Sequence, residues 1–99
     1  MAERRPTQNL TITPIEVEID NCVVSILEVT KLPITWAEAK YVYQASCQVR
    51  CGDAVSQVFT LVFRDTNELR SKLQVEVSKF KYMVFLYGSK DLRMRGLIL

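Results

Sequence analysis

The residues of this chain best suited to chemistry are its three cysteines, Cys22, Cys47 and Cys51. Cys47 and Cys51 are four positions apart, so on one strand their side chains share a face about 13 Å apart. This is too far for two thiolates to bind one metal ion, and without histidine a closed zinc site would also need a carboxylate. We predict no metal site and interpret the cysteines as buried, free and structural. An exposed Cys51 at a hairpin end would instead permit an intermolecular disulfide.

Catalytic arrangements are also missing from the sequence. The absence of histidine removes the commonest general base and every Ser-His or Cys-His pair. Glu16 and Glu18 lie about 7 Å apart on one strand face, a spacing that resembles an acid-base pair, but on an exposed face they serve as solubilising charge. The three glycines are too few for a phosphate-binding loop. We expect a non-enzymatic protein with no cofactor and no evident small-molecule site.

Length and composition predict one folded domain. The chain has 99 residues, of which 48% are hydrophobic and 24% are charged. We place this domain at residues 10–99, after a flexible N-terminal arm at residues 1–9 that carries Arg4 and Arg5. No apolar run is long enough to cross a bilayer and no signal region follows Met1, so we expect an intracellular protein with no membrane partner.

A first hairpin is predicted from residue alternation. In Ile15–Ile19 the apolar residues fall on one face and the glutamates on the other, which is typical of a half-buried strand. Asp20 and Asn21 tolerate the left-handed conformation of a tight turn. Such a turn sets Val17 opposite Val24.

A second hairpin joins two further alternating segments, at residues 40–50 and 55–64. A two-residue turn would pair Cys47 with Val58, whereas a three-residue loop pairs Cys47 with Phe59 and gathers the aromatic residues. We favour the longer loop because it buries more apolar surface. The predicted centre of the core consists of Tyr41, Tyr43, Phe59 and Phe63.

After residue 64 the period becomes helical. Asp65 and Glu68 have the spacing of a capping box, and an amphipathic helix is predicted from about Thr66 to Lys79 with Leu69, Leu73 and Val77 as its buried stripe. Residues 81–87 could continue this helix, but their Tyr, Val and Phe content favours a strand. A last strand is predicted around residues 92–98, and a single helical turn at residues 35–38. The predicted fold is α+β, an antiparallel sheet of five to six strands with one amphipathic helix packed across one face.

Two surfaces are candidates for binding. The first is basic and could contact nucleic-acid phosphates; it comprises Arg70, Lys72, Lys79, Lys81, Arg93 and Arg95. A solvated helix face is the alternative explanation for the first four residues, and protection of an edge strand is the alternative for the two arginines of the last strand. The second is the sheet face away from the helix, which is flat and mixed and could contact a protein partner. Its candidate residues are Val42, Gln44, Val58, Thr60 and Val62.

In length, lack of histidine, scarcity of glycine and compact α+β pattern, the chain resembles the small orphan proteins of filamentous viruses of hyperthermophilic archaea. No motif carries this resemblance. It implies a host cell interior, high intrinsic stability and dimer formation, and it implies no activity. We therefore expect an interaction protein, most simply a homodimer, with nucleic-acid binding as the alternative.

Overall fold

The structure is a computed structural model that describes the backbone of residues 8–10 and the full structure of residues 15–33 and 41–99. It confirms the predicted α+β class, with helices packed on an antiparallel sheet of six strands. The first strand of the described residues begins at Gln8, inside the segment predicted as an arm. The elements, in chain order, are β1 (Gln8–Leu10), β2 (Ile15–Ile19), β3 (Cys22–Pro33), β4 (Tyr41–Cys51), β5 (Ala54–Val55), β6 (Phe59–Phe63), α1 (Thr66–Tyr87) and α2 (Ser89–Met94).

The two long strands β3 and β4 form the centre of the sheet. β1 and β2 both pair with β3, whereas β5 and β6 both pair with β4. A bulge in β3 between Ile26 and Glu28 shifts the register with β4 by one residue. The sheet is therefore four strands wide. Each outer position is occupied by two short strands, β1 and β2 beside β3, and β5 and β6 beside β4.

The first hairpin has the predicted turn and register. Asp20 and Asn21 have φ values of 53° and 67°, and Val17 lies opposite Val24. The expectation of a half-buried β2 is wrong, because Ile15 and Val17 are 48% and 37% exposed. Their face of the sheet is the one that α1 covers, but α1 packs over β3, β4 and β6 and leaves the β2 edge open.

The second hairpin combines the turn we rejected with the register we preferred. Cys51 pairs with Ala54 around a two-residue turn, yet Cys47 pairs with Phe59 as predicted. The registers of β5 and β6 against β4 differ by one residue, and this difference is taken up between β5 and β6. The buried Ser56 lies there and forms two hydrogen bonds with the backbone of β4. Its backbone N–H donates to the Val49 carbonyl at 2.8 Å, and its hydroxyl accepts from the Val49 N–H at 2.9 Å.

The main helix starts as predicted and continues further. The Asp65 side chain accepts a hydrogen bond from the Glu68 N–H at 2.9 Å, which caps the first turn. The strand predicted at residues 81–87 is wrong, because α1 extends to Tyr87 and ends at Gly88, with φ 82°. Phe80 prolongs the buried stripe toward the C-terminus, so burial against the sheet outweighs the local β propensity.

The chain end also differs from the prediction. Residues 89–94 form α2 in place of the expected strand, and its Leu92 is fully buried. Only the last residues join the sheet: Ile98 bridges to Ser56, and the Leu99 N–H donates to the Val55 carbonyl at 2.8 Å.

The core lies between the sheet and α1, and its centre is displaced from the predicted aromatic group. Tyr43 and Phe63 stack with ring centroids 5.6 Å apart. Tyr41, however, is 47% exposed, and the Lys31 ammonium lies 4.1 Å from the centre of its ring. Small and branched residues occupy the fully buried centre, namely Val24, Ala45, Cys47, Val49 and Val77. The predicted turn at residues 35–38 and Arg4 and Arg5 lie outside the described residues.

Candidate interaction surface

Ion pairs neutralise three of the four predicted basic residues of α1, namely Lys72, Lys79 and Lys81. The Lys72 ammonium lies 3.3 Å from a carboxylate oxygen of Glu68, and Lys79 lies 3.4 Å from Glu76. The Lys81 ammonium lies 3.0 Å from the carboxylate of Asp20, in the turn between β2 and β3. Exposed pairs of this kind contribute little stability, but they cancel the local positive charge that a phosphate backbone would need.

The two basic candidates outside α1, Arg93 and Arg95, are also paired. The Arg93 guanidinium donates to the Leu99 carbonyl at 3.0 Å and to the Asp53 carbonyl at 3.1 Å, so it ties the chain end to the second hairpin. Arg95 pairs with Asp91 at 2.9 Å. Within the described residues, only Arg70 of the predicted set has no ion pair or hydrogen bond.

Glu68, the partner of Lys72 in the first turn of α1, is itself held in its charged form. The Arg64 backbone N–H donates to the Glu68 carboxylate at 2.8 Å, and this bond is the main cause of a lowered Glu68 pKa. Side-chain bonds from Lys72 and Arg64 act in the same direction. The pairs along this side of α1 therefore persist at neutral pH.

The residues of the predicted sheet interface lie on one face of the sheet, with one exception. Gln44 pairs with Val62, and Thr60 pairs with Ser46, so these side chains share the face away from α1. Val42 lies on the same face of β4. Val58 falls between β5 and β6, outside both strands.

A second apolar surface lies on the outer side of α1 and was missed by the sequence analysis. It consists of Val75, Tyr82, Phe85 and Leu86, and we call it the outer stripe. These residues are all exposed, and Phe85 is 83% exposed. At 100° per residue they cluster on the side of α1 opposite the buried Leu73 and Val77.

The outer stripe was missed because residues 81–87 were predicted to form a strand. The seven-residue spacing between Val75 and Tyr82 is the signal that would have revealed it, since this interval places two residues on nearly the same helix face. That spacing has meaning only if α1 continues past Phe80.

Comparison with known proteins gave no match: no family model, no curated protein and no solved structure is significantly similar to this chain. No helix of the described residues is both long enough and apolar enough to cross a membrane. The resemblance to viral proteins therefore stays a prediction.

The cysteines are not all free, which corrects the sequence interpretation. Cys22 and Cys51 form a disulfide, with Cα atoms 4.6 Å apart. They become neighbours because Val23 pairs with Arg50, which places the end of the first turn beside the end of β4. Cys47 is free and buried, as predicted. In the described part of the chain no cluster of three potential ligands could hold a metal ion.

The buried thiol of Cys47 is expected to be unreactive in the folded protein. Burial raises its pKa from 9.0 to about 11, so the nucleophilic thiolate is scarce at pH 8. Because the unfolded thiol ionises first, the free energy of unfolding should decrease as the pH rises from about 9 toward 11.

A thiol-specific reagent tests this expectation together with the disulfide. We expect no reaction with the native protein at pH 8, one reacting thiol per chain in denaturant, and three after reduction. Three thiols in denaturant without a reductant would contradict the disulfide. Rapid labelling of Cys47 in the native protein would contradict its burial.

Proposed function

We propose that this protein is a non-enzymatic interaction module that forms a homodimer through the outer stripe of α1. The observation that supports this proposal is the exposure of Phe85 within an apolar stripe on the helix face opposite the sheet. One apolar stripe of a surface helix packs on its own domain, whereas a second, exposed stripe is typical of a contact with a partner.

The partner that we propose for the outer stripe is the same stripe on a second copy of the chain. An antiparallel crossing of two α1 helices near residue 80 sets Phe85 against the partner subunit's Val75, because the two positions are equidistant from the centre. Ser71 and Ser78 lie between the stripe residues and are small enough for close approach of the helices. Lys72 and Lys79 flank the stripe and are each paired with a glutamate of α1, which reduces the charge repulsion between two copies.

The sheet face with Val42, Gln44, Thr60 and Val62 is the alternative contact for the same function. It is less apolar than the outer stripe, because Gln44, Ser46 and Thr60 separate its valines. Nucleic-acid binding is the alternative function, and the ion pairs of Lys72, Lys79 and Lys81 weigh against it.

The proposed cellular setting is the cell interior. Stable intracellular disulfides are rare in mesophiles but common in hyperthermophilic archaea and bacteria. The Cys22–Cys51 bond therefore fits an intracellular protein of a thermophilic host, as the resemblance implies. The same bond contributes to the thermal stability that we propose.

Light-scattering mass measurements on three proteins test the dimer contact. We expect a dimer for the natural chain at both about 50 and about 500 mM salt, because apolar contacts depend little on ionic strength. Phe85→Glu should be a monomer, since it buries a charge in the contact. Val62→Glu, a matched change on the exposed sheet face, should remain a dimer.

The other outcomes have distinct meanings. A monomeric Val62→Glu beside a dimeric Phe85→Glu would move the contact to the sheet face and overturn the role of the outer stripe. A monomeric natural chain would overturn the homodimer. Anisotropy of a labelled oligonucleotide should stay unchanged; a rise at about 50 mM salt that disappears at about 200 mM and in Arg70→Ala would favour nucleic-acid binding.

A further inference from the structure

The edge of β2 is unpaired within the described residues. β2 pairs with β3 on one side, and no described strand lies on its other side. In a two-residue hairpin the closing pair, here Ile19 and Cys22, is hydrogen-bonded, and the pattern alternates along the strand. The backbone N–H and C=O groups of Glu16 and Glu18 therefore face the open edge.

An apolar groove lies beside this edge, between β2 and α1. It has a volume of about 420 Å³. Its apolar lining residues are Val17, Ile19, Ile26, Leu69 and Leu73, and its polar rim comprises Glu18, Asp20, Thr66, Arg70 and Gln74. The exposure of Val17 and Ile15 shows that α1 leaves the apolar face of β2 incompletely covered. A strand added to β2 would cover both residues and extend over the groove.

The charges of β2 indicate which strand can be added. Glu16 and Glu18 alternate with Val17 along β2, so their side chains project from the sheet face opposite to that of Val17, and Glu18 also borders the groove. Neither makes an ion pair with any described residue. If two copies of β2 paired with Val17 at the centre, Glu16 would lie opposite the partner's Glu18, and like charges in direct opposition are destabilising. A second copy is therefore a poor occupant of this edge.

We propose that the β2 edge binds an extended peptide of a partner protein, in which basic residues alternate with apolar residues. Its backbone pairs in the antiparallel direction with Glu16 and Glu18, its lysines or arginines lie opposite the two glutamates, and its apolar side chains turn toward the groove. This site is separate from the outer stripe of α1 and does not depend on the homodimer.

Fluorescence anisotropy with labelled, alternating Lys-Val and Glu-Val heptapeptides tests the charge preference at about 150 mM salt. The natural chain should bind the Lys-Val peptide at least about tenfold more tightly than the Glu-Val peptide. The double variant Glu16→Lys, Glu18→Lys should reverse this order. Equal affinity for both peptides, or no binding of either, would overturn the proposal.

Two methylated peptides test the strand pairing itself. A lysine opposite Glu16 or Glu18 donates its backbone N–H to the edge, whereas the valine N–H groups point away. Methylation of the lysine backbone nitrogens should weaken binding at least about tenfold, and methylation of the valine nitrogens should leave it unchanged. Equal effects would indicate electrostatic attraction without strand addition and overturn the site. Phe85→Glu should bind the Lys-Val peptide normally even as a monomer, which separates this test from that of the homodimer.

Discussion

Phe80→Ala is expected to lower the free energy of unfolding by about 3 to 5 kcal/mol, whereas Phe85→Ala changes that of the monomer by less than about 0.5 kcal/mol. The two residues have the same chemistry and lie five positions apart on α1. Phe80 is 6% exposed and Phe85 is 83% exposed. Only the first substitution removes buried aromatic surface and leaves a cavity under the helix.

Urea unfolding followed by circular dichroism provides the measurement. Midpoints should be compared over a range of protein concentrations, since a dimer makes the midpoint concentration-dependent and its contribution can be separated. Equal destabilisation by both substitutions in the monomer would mean that the C-terminal half of α1 is not oriented as described. If residues 81–87 formed a strand, this difference in stability between Phe80→Ala and Phe85→Ala would not be expected.

Reduction of the Cys22–Cys51 disulfide is expected to destabilise the protein by about 3 to 4 kcal/mol. The bond joins residues separated by 29 positions, so it restricts a sizeable loop of the unfolded chain. The loss of that restriction raises the entropy of the unfolded state when the bond is broken. The effect should appear as a lower thermal midpoint in the presence of a reductant.

A double alanine variant at Cys22 and Cys51 supplies the control for this prediction. Its thermal midpoint should be unaffected by reductant, because its only remaining cysteine, Cys47, is free. If the natural chain unfolded at the same temperature with and without reductant, the disulfide would not contribute as expected. A reductant effect in the double variant would show that the reagent acts elsewhere.

Local signals predicted those parts of the fold in which neighbouring residues decide the conformation. Asp20 and Asn21 determine the first turn because their side chains tolerate a positive φ, and the turn then determines the pairing of Val17 with Val24. Asp65 and Glu68 mark the start of α1 because the cap forms within one turn of chain.

The candidate surfaces were predicted less completely. The sheet face with Gln44, Thr60 and Val62 followed from alternation alone, since a strand places every second side chain on one face. The basic residues could be identified from the sequence by residue type, but the acidic residues that pair with them could not be identified in this way. Lys81 pairs with Asp20, which lies 61 positions earlier in the chain, and no local pattern reveals such a contact.

Local sequence patterns were enough to predict the α+β class, the register of the first hairpin, the pairing of β4 with β6, the start of α1 and the burial of Cys47. Each depends on side-chain alternation, turn chemistry or capping, which act over a few residues. The length of α1, the Cys22–Cys51 disulfide and the open edge of β2 became evident from long-range packing alone. These depend on where α1 lies across the sheet: its buried stripe stabilises helix up to Tyr87, the packed hairpins bring two distant thiols together, and the width of one helix leaves the outermost strand uncovered.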